Sequence, residues 1–264
     1  MQTELTGTAT AAALRIVAGQ ATPVDEQLAQ ETAIALVYNG ISHAVMMCTP
    51  LDLEDFALGF SLSEGVITQP FEMKGVEISA AARGITVDIE ITEARFQALK
   101  DVRRSLVGRT GCGLCGVDSL DAAMRPIAQV NNTTTVSSTD IQAALARLAE
   151  LQPLNRATGA VHAAGLWQRG EMTVREDVGR HNALDKLIGA TARTGRQHGV
   201  LVVTSRASYE IVYKAASAGI EIVAAISAPT SLAVELAEQA GITLIGFARD
   251  DRLTAYSYPS RIAA

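Results

Sequence analysis

Alternation between apolar and polar positions begins at Thr32. Thr32 to Tyr38 reads as a strand, Asn39-Gly40 as a hairpin turn and Ser42 to Cys48 as its return strand. Thr49-Pro50 closes that strand. Leu53 to Ser63 then takes helical spacing and stops at Gly65. Gly75 to Ala80 and Gly84 to Ile91 read as another strand pair. Phe96, Leu99, Val102 and Leu106 give Glu93 to Val107 the period of a helix. This pattern predicts a small α+β domain over residues 26–107. Residues 1–25 are small, polar and rich in Ala and Thr, and they predict a flexible, frayed arm.

The last third of the chain has a different rhythm. Val200 to Thr204, Ile220 to Ile226 and Ile242 to Phe247 are continuous apolar runs, as buried strands are. Ser208 to Ala218 and Leu232 to Ala240 have helical spacing, and each stops at a glycine, Gly219 or Gly241. The β-α-β-α-β order predicts a parallel sheet with right-handed crossovers, hence an α/β domain over residues 140–264. Ala160 to Leu166 and Met172 to Arg175 add strands. Asp177 to Ala192 adds a helix with Leu184, Leu187, Ile188 and Thr191 on its inner face. Between the domains, residues 108–139 form a connecting segment. Gly108 to Gly116 holds four glycines in nine residues, which no regular element tolerates, and Asn131 to Thr139 is a polar linker.

Composition narrows the function. With 264 residues, 48% of them hydrophobic, the chain can bury one large core or two adjoining ones. A net charge of −6, from 28 acidic and 22 basic residues, argues against a nucleic-acid-binding surface. No apolar run is long enough for a membrane span, and the first twenty residues lack the pattern of a secretory signal. Three cysteines are too few and too uneven for a disulfide framework, which favours a cytoplasmic setting.

Parallel sheets bind ligands beyond the carboxyl ends of their strands. Three loops should meet there: Thr204 to Ser208, Ser227 to Ser231 and Ala248 to Arg252. They hold Ser205, Arg206, Thr230, Arg249 and Arg252. Two of them run into helix N-termini, where free N–H groups and the helix dipole favour anions. A phosphate or pyrophosphate fits that edge. The plainer reading is of helix-capping hydroxyls and solvated arginines.

The Cys112-Gly-Leu-Cys115 pair admits four readings. A zinc half-site needs two further ligands at close spacing, and Cys48 with His43, His162, His181 and His198 forms no such pattern. A thioredoxin-like pair should follow a strand and open a helix, whereas this one follows a helix. Structural thiols belong in a core, and a glycine-rich loop suits burial poorly. A reactive thiol on a mobile tether fits best, with Arg109 nearby to favour the thiolate. Cys48, inside Val45-Met46-Met47-Cys48, reads as a buried core thiol. Arg175 to Lys186 gathers Glu176, Asp177, Arg180, His181, Asn182, Asp185 and Lys186. Its two readings are a solvated, salt-bridged helix face and a ligand-facing cluster. His162 alone reads as a satisfied core histidine.

Several segments together carry a family resemblance. They are the Gly-Cys-Gly-Leu-Cys-Gly loop, Thr158 to Ala164, Arg175 to Lys186, Ser205 to Glu210, Ser227 to Ala233 and Gly241 to Phe247. In these motifs, and from about Glu31 to Arg261, the chain resembles the formate dehydrogenase accessory sulfurtransferase family, FdhD. The resemblance implies a carrier that accepts sulfur from a cysteine desulfurase as a cysteine persulfide. It passes the sulfur to the bis-molybdopterin guanine dinucleotide form of the molybdenum cofactor, which then serves formate dehydrogenase. It implies Cys112 as the persulfide carrier with Cys115 assisting, and Phe247, Ala248, Arg249, Asp250, Asp251 and Arg252 as the cofactor-binding stretch. Ser205, Arg206, Thr230, His162, Arg180 and His181 join these as candidate ligand contacts. A homodimer and a cytidine-deaminase-like three-layer core are also implied. The deaminase zinc signature is missing, because Ala163-Ala164 follows His162 where a glutamate would be needed, so no resident zinc is expected. Asp250-Asp251 stands where many members have glycine, and two carboxylates beside a pyrophosphate would have to point away from it or toward guanine.

Overall fold

A computed structural model describes residues 7–109, 126–131, 133–195, 198–249 and 252–263, with the backbone alone over 102–109. The chain opens with a hairpin, not the frayed arm. β1 (Thr8–Val17) and β2 (Gln20–Ala29) pair antiparallel along their whole length. Ala18 and Gly19 turn it with φ of 49° and 81°, the geometry of a two-residue hairpin turn. Its alanines and threonines bury almost nothing, so no hydrophobic alternation marks it. Pro23 is tolerated because this ribbon has only edge strands.

The expected strand pairs follow. β3 (Thr32–Tyr38), β4 (Ile41–Cys48), β5 (Met73–Ala81) and β6 (Gly84–Ile91) form a sheet in the order β4-β3-β6-β5. β3 and β6 at its centre run parallel, and the flanking pairs are antiparallel. Asn39 and Gly40 turn the first hairpin at positive φ. Alternate residues Ile34, Leu36, Tyr38, Val87 and Ile89 are buried against Phe56, Ala57 and Phe60 of α1 (Leu53–Ser63). A 3-10 turn at Pro70–Glu72 enters β5, and α2 (Glu93–Arg109) leaves β6.

The second sheet has six strands. They are β8 (His162–Gln168), β9 (Glu171–Asp177), β10 (Val200–Val203), β11 (Ile222–Ala225), β12 (Thr243–Arg249) and β13 (Arg252–Ala255), in the order β13-β12-β11-β10-β8-β9. β10, β11 and β12 are parallel as expected, while β8, β9 and β13 run antiparallel to their neighbours. Both faces are covered. Leu201, Val203, Val223 and Leu244 pack under α5 (Arg180–Thr194), α6 (Tyr209–Ser217) and α7 (Ser231–Ala240). Val200, Val202, Ile222, Ala224 and Ile245 pack under α3 (Ser138–Glu150). That explains the unbroken apolar runs, since both faces of each strand are buried. A short helix, α4 (Pro153–Thr158), leads into β8. β7 (Val136–Ser137) pairs with β14 (Ile262–Ala263), which follows a 3-10 turn at Pro259–Arg261.

α1 and α5 join the two sheets at a very close crossing. A Cβ on Gly59 would sit 1.7 Å from the Asp185 carbonyl oxygen, and one on Gly189 would sit 1.9 Å from that of Asp55. The backbones touch, so only glycine fits at either position. Polar residues fill the seam beside this crossing. The Lys214 ammonium lies 2.9 Å from Asp185 Oδ1, 2.8 Å from Glu64 Oε1 and 2.9 Å from Ser63 Oγ. Ser63 Oγ donates to Asp185 Oδ1 at 2.6 Å. Burial pulls the Lys214 ammonium toward neutrality, but Asp185 and Glu64 outweigh it and hold the pKa above its ordinary value. Arg175, 2.6 Å from Asp55 Oδ2, closes the outer end. Among the described residues, no helix is long and apolar enough to cross a membrane.

Candidate functional site

The carboxyl ends of β10, β11 and β12 share one edge with the carboxyl end of β9 and the amino end of β8. The first loop is tied to β8: Thr204 N donates to Ala163 O at 3.0 Å, and Thr204 Oγ1 accepts from Ala163 N at 2.9 Å. The second lies against the first through an Ala207–Pro229 bridge, with Thr230 N donating to Ala207 O at 3.0 Å. The third reaches the second where Phe247 N donates to Ser227 O at 3.2 Å. A Cβ on Gly246 would come within 2.6 Å of Pro229 Cδ, so the second and third loops are in close contact.

The candidate residues do different jobs there. Thr230 caps α7, accepting from Ala233 N, which is the plain reading of that hydroxyl. Ser205 is buried and donates to the Arg206 carbonyl, while the Arg206 side chain is exposed. Phe247 holds a φ of 51°, in the left-handed region, where β12 bulges against β13. A bulky residue rarely takes that conformation, and such strain gathers at ligand sites. The Arg252 guanidinium stacks 4.6 Å from the centre of the Phe247 ring, and Arg249 faces Arg252 across the hairpin with both exposed. Ala248 is fully buried in the core under α3, so its side chain faces away from the edge. Asp250, Asp251, Cys112 and Cys115 lie outside the described residues, and Arg109 is the last residue of α2.

β9 and α5 bring the remaining candidates to the same edge. His162 pairs with Asp177 across β8 and β9, and Arg180 and His181 form the first turn of α5. His162 is half-buried at this edge, not in the core. Burial, with help from the Arg180 charge, lowers its pKa below the ordinary value. Burial also lowers that of His181, where Arg180 and Lys214 act with it and Glu210 opposes them.

His181 Nε2 sits 2.6 Å from Glu210 Oε2, yet not at an angle that makes a hydrogen bond. Ser208 Oγ and Tyr209 OH, at the start of α6, are likewise shielded from solvent and hydrogen-bond to nothing among the described residues. An unmet buried polar atom costs about 1–3 kcal/mol. The two at the start of α6, beside His181, form a demand that a polar ligand would meet. Ser208 and Tyr209 lie in the Ser205 to Glu210 motif at the start of a helical run, but spacing alone does not mark them as ligand contacts. Only the convergence of α5 and α6 singles them out.

Arg175 to Lys186 fits neither of its two readings as a whole. His181 stands at the edge, whereas Asp177, Asn182, Asp185 and Lys186 are buried. Asp185 points into the seam with Lys214, although it is four residues from His181 on the same helix. Cys48 is fully buried as expected, and burial pushes its thiol pKa far up, so it is not a ready nucleophile.

The FdhD/NarQ family profile matches residues 29–263. A sulfur carrier protein FdhD from Cupriavidus necator is 54% identical over 242 residues, 90% of this chain and 84% of that protein. The crystal structure of a protein described as a formate dehydrogenase accessory protein, from Desulfotalea psychrophila, superposes with a TM-score of 0.75 at 27% identity. It covers 97% of this chain and 99% of its own.

Proposed function

The chain belongs to the FdhD/NarQ family, and from that premise we propose that it is a sulfur carrier acting in the maturation of formate dehydrogenase. Its cargo site holds a guanine dinucleotide form of the molybdenum cofactor as substrate. The two unmet polar atoms, on Ser208 and Tyr209, beside His181, carry the ligand half of this reading. They lie at an edge that also presents Arg180, Arg206, Arg249 and Arg252. Guanidinium groups suit a pyrophosphate through paired, charge-assisted hydrogen bonds. The Arg252–Phe247 stack offers a flat surface on which a guanine could rest. The strand order, with helices on both faces, is compatible with a cytidine-deaminase-like core put to a different use.

The sulfur half rests on the Cupriavidus relative, a sulfur carrier protein by name, together with the Cys112/Cys115 pair. The Cys112 thiolate attacks the outer sulfur of a desulfurase persulfide. An S–S bond forms on Cys112, the donor's S–S bond breaks, and the donor leaves as a thiolate. Cys115 then attacks the inner sulfur of the Cys112 persulfide. Hydrosulfide is expelled toward the metal, a Cys112–Cys115 disulfide remains, and a cellular thiol reductant resets the pair.

Mass spectrometry after incubation with a cysteine desulfurase and cysteine tests the carrier step. One added sulfur on Cys112 is expected. Cys112→Ala should lose it and fail to activate formate dehydrogenase, whereas Cys115→Ala should still load sulfur. Full activation by Cys112→Ala would reduce the protein to a cofactor chaperone.

A further inference from the structure

The first turn of α5, which carries Arg180 and His181, has no side-chain cap of its own. It is held from below by Asp177, whose carboxylate is fully buried and takes four donors. Oδ1 accepts from Gly179 N at 2.8 Å and from Asn182 Nδ2 at 3.1 Å. Oδ2 accepts from Thr49 N at 3.0 Å and lies 2.6 Å from the Lys186 ammonium, also fully buried.

Three of those four donors lead to the end of β4 or belong to the segment that follows it. Lys186 donates onward to Thr49 O at 2.8 Å and Asn182 to Met47 O at 2.8 Å. Thr49 Oγ1 accepts from Val178 N at 3.2 Å. Met47 and Cys48 end β4, and Thr49 follows directly. The backbone from Val178 to Gly179 is thus pinned to the end of β4, more than 120 residues earlier in the chain.

A buried ion pair is a poor source of net stability, since the desolvation of two charges offsets most of their attraction. Here each partner also bonds to the backbone of a different segment, which fixes relative position. Asn182 is drawn the same way and covers Gly179. A Cβ there would meet Asn182 Nδ2 at 2.6 Å.

We infer that Thr49, Asp177 and Lys186 are positioning residues, a clamp through which the N-terminal sheet sets the place of Arg180 and His181 at the ligand edge. None of them touches the ligand. The inference rests on the ligand reading above, but the placement itself can be measured without ligand.

The chain has four histidines, so their ring carbon–proton resonances are few enough to follow singly. His162 and His181 report on the ligand edge, and His198 lies at the opposite end of the sheet, just before β10. Thr49→Val removes only the acceptor for Val178 N and keeps both backbone contacts. Asp177→Asn removes the charge that Lys186 faces. Both variants should move the His162 and His181 signals in the free protein and leave His198 in place. Both should weaken guanosine diphosphate binding by about fivefold, the factor carried by one lost neutral hydrogen bond. Ile141→Val, a mild core truncation beneath the other face of the sheet, should leave all of these signals unchanged.

If Asp177→Asn fails to fold, Thr49→Val decides alone. Unmoved His162 and His181 signals in folded Thr49→Val, or equal movement in Ile141→Val, would overturn the clamp. Wild-type protein whose His162 and His181 signals ignore guanosine diphosphate would instead overturn the ligand reading, and with it the role assigned to the clamp.

Discussion

Gly189→Ala tests whether the α1–α5 crossing is as tight as its geometry implies. The added Cβ would lie 1.9 Å from Asp55 O and 2.7 Å from Asp55 C. An ordinary contact needs about 3.4 Å, so the two backbones must part by about 1.5 Å. A side chain could swing away, but a helix backbone cannot. Overpacking of this kind costs about 1–3 kcal/mol, and a clash with backbone belongs at the upper end. The better helix propensity of alanine returns about 1 kcal/mol. The expected net loss is about 2 kcal/mol, a fall of roughly 4–8 °C in Tm for a chain of this size. Parting the helices would also stretch the Asp185–Ser63 and Asp185–Lys214 bonds beside the crossing. Gly195→Ala is the comparison. It ends the same helix at a φ of 66° with open space around it, so only left-handed strain opposes the change, about 1 kcal/mol. Urea denaturation followed by circular dichroism ranks the two. A Gly189→Ala protein as stable as wild type, or more stable than Gly195→Ala, would refute the backbone-contact argument.

Asp185→Ala should cost about 3–5 kcal/mol, because it leaves the buried Lys214 ammonium with Glu64 as its remaining carboxylate partner. A loss under about 1 kcal/mol in urea denaturation would contradict the seam's role. His162 and His181 should titrate below 6.5, their ordinary midpoint, when followed by NMR. Their effect on stability has a definite sign. Between 6.5 and the lower folded values the unfolded chain takes up protons that the folded chain refuses, so stability falls as pH falls through that window. Midpoints above 6.5 would mean that Glu210 and its surroundings outweigh burial.

The strands and helices that bury a face could be read in the sequence, because burial is what writes periodicity. β3, β6 and α1 alternate or repeat with the core they face, and β10 and β11 are apolar throughout because both of their faces are covered. The β1–β2 hairpin escaped for the opposite reason. Leu14, Ile16 and Val17 at its tip remain 60–66% exposed, so nothing in its pattern separates it from a polar tail. Its only local mark is the Ala18-Gly19 turn, weaker than Asn39-Gly40 because alanine pays more for positive φ than asparagine. α3 repeats Ile141, Ala144 and Leu148 at helical spacing, but the polar Asn131 to Thr139 stretch that overlaps its first turn has the composition of a linker.

The ligand edge shows a subtler limit. Strand order alone was enough to bring three loops together, because a parallel sheet leaves its loops nowhere else to go. The Arg175 to Lys186 cluster could not be divided the same way. A helix buried from Asn182 to Gly189, with a ligand edge at its start and a second sheet along its flank, carries polar residues for two different purposes. Spacing tells which residues share a face of that helix, but not what the face meets. His181 and Asp185 share one and part company within a single turn, one toward Glu210 at the edge and the other toward Ser63 and Lys214 in the seam. The discriminating fact was available only from the partner side. Ser63 and Glu64 end α1, and Gly59 and Gly189 let that helix come close enough for their side chains to reach Asp185 and Lys214. A polar residue four positions from a ligand-edge histidine is therefore as well explained by a close helix crossing as by a ligand. Glycines at the matching positions of two helices, here 59 and 189, favour the crossing.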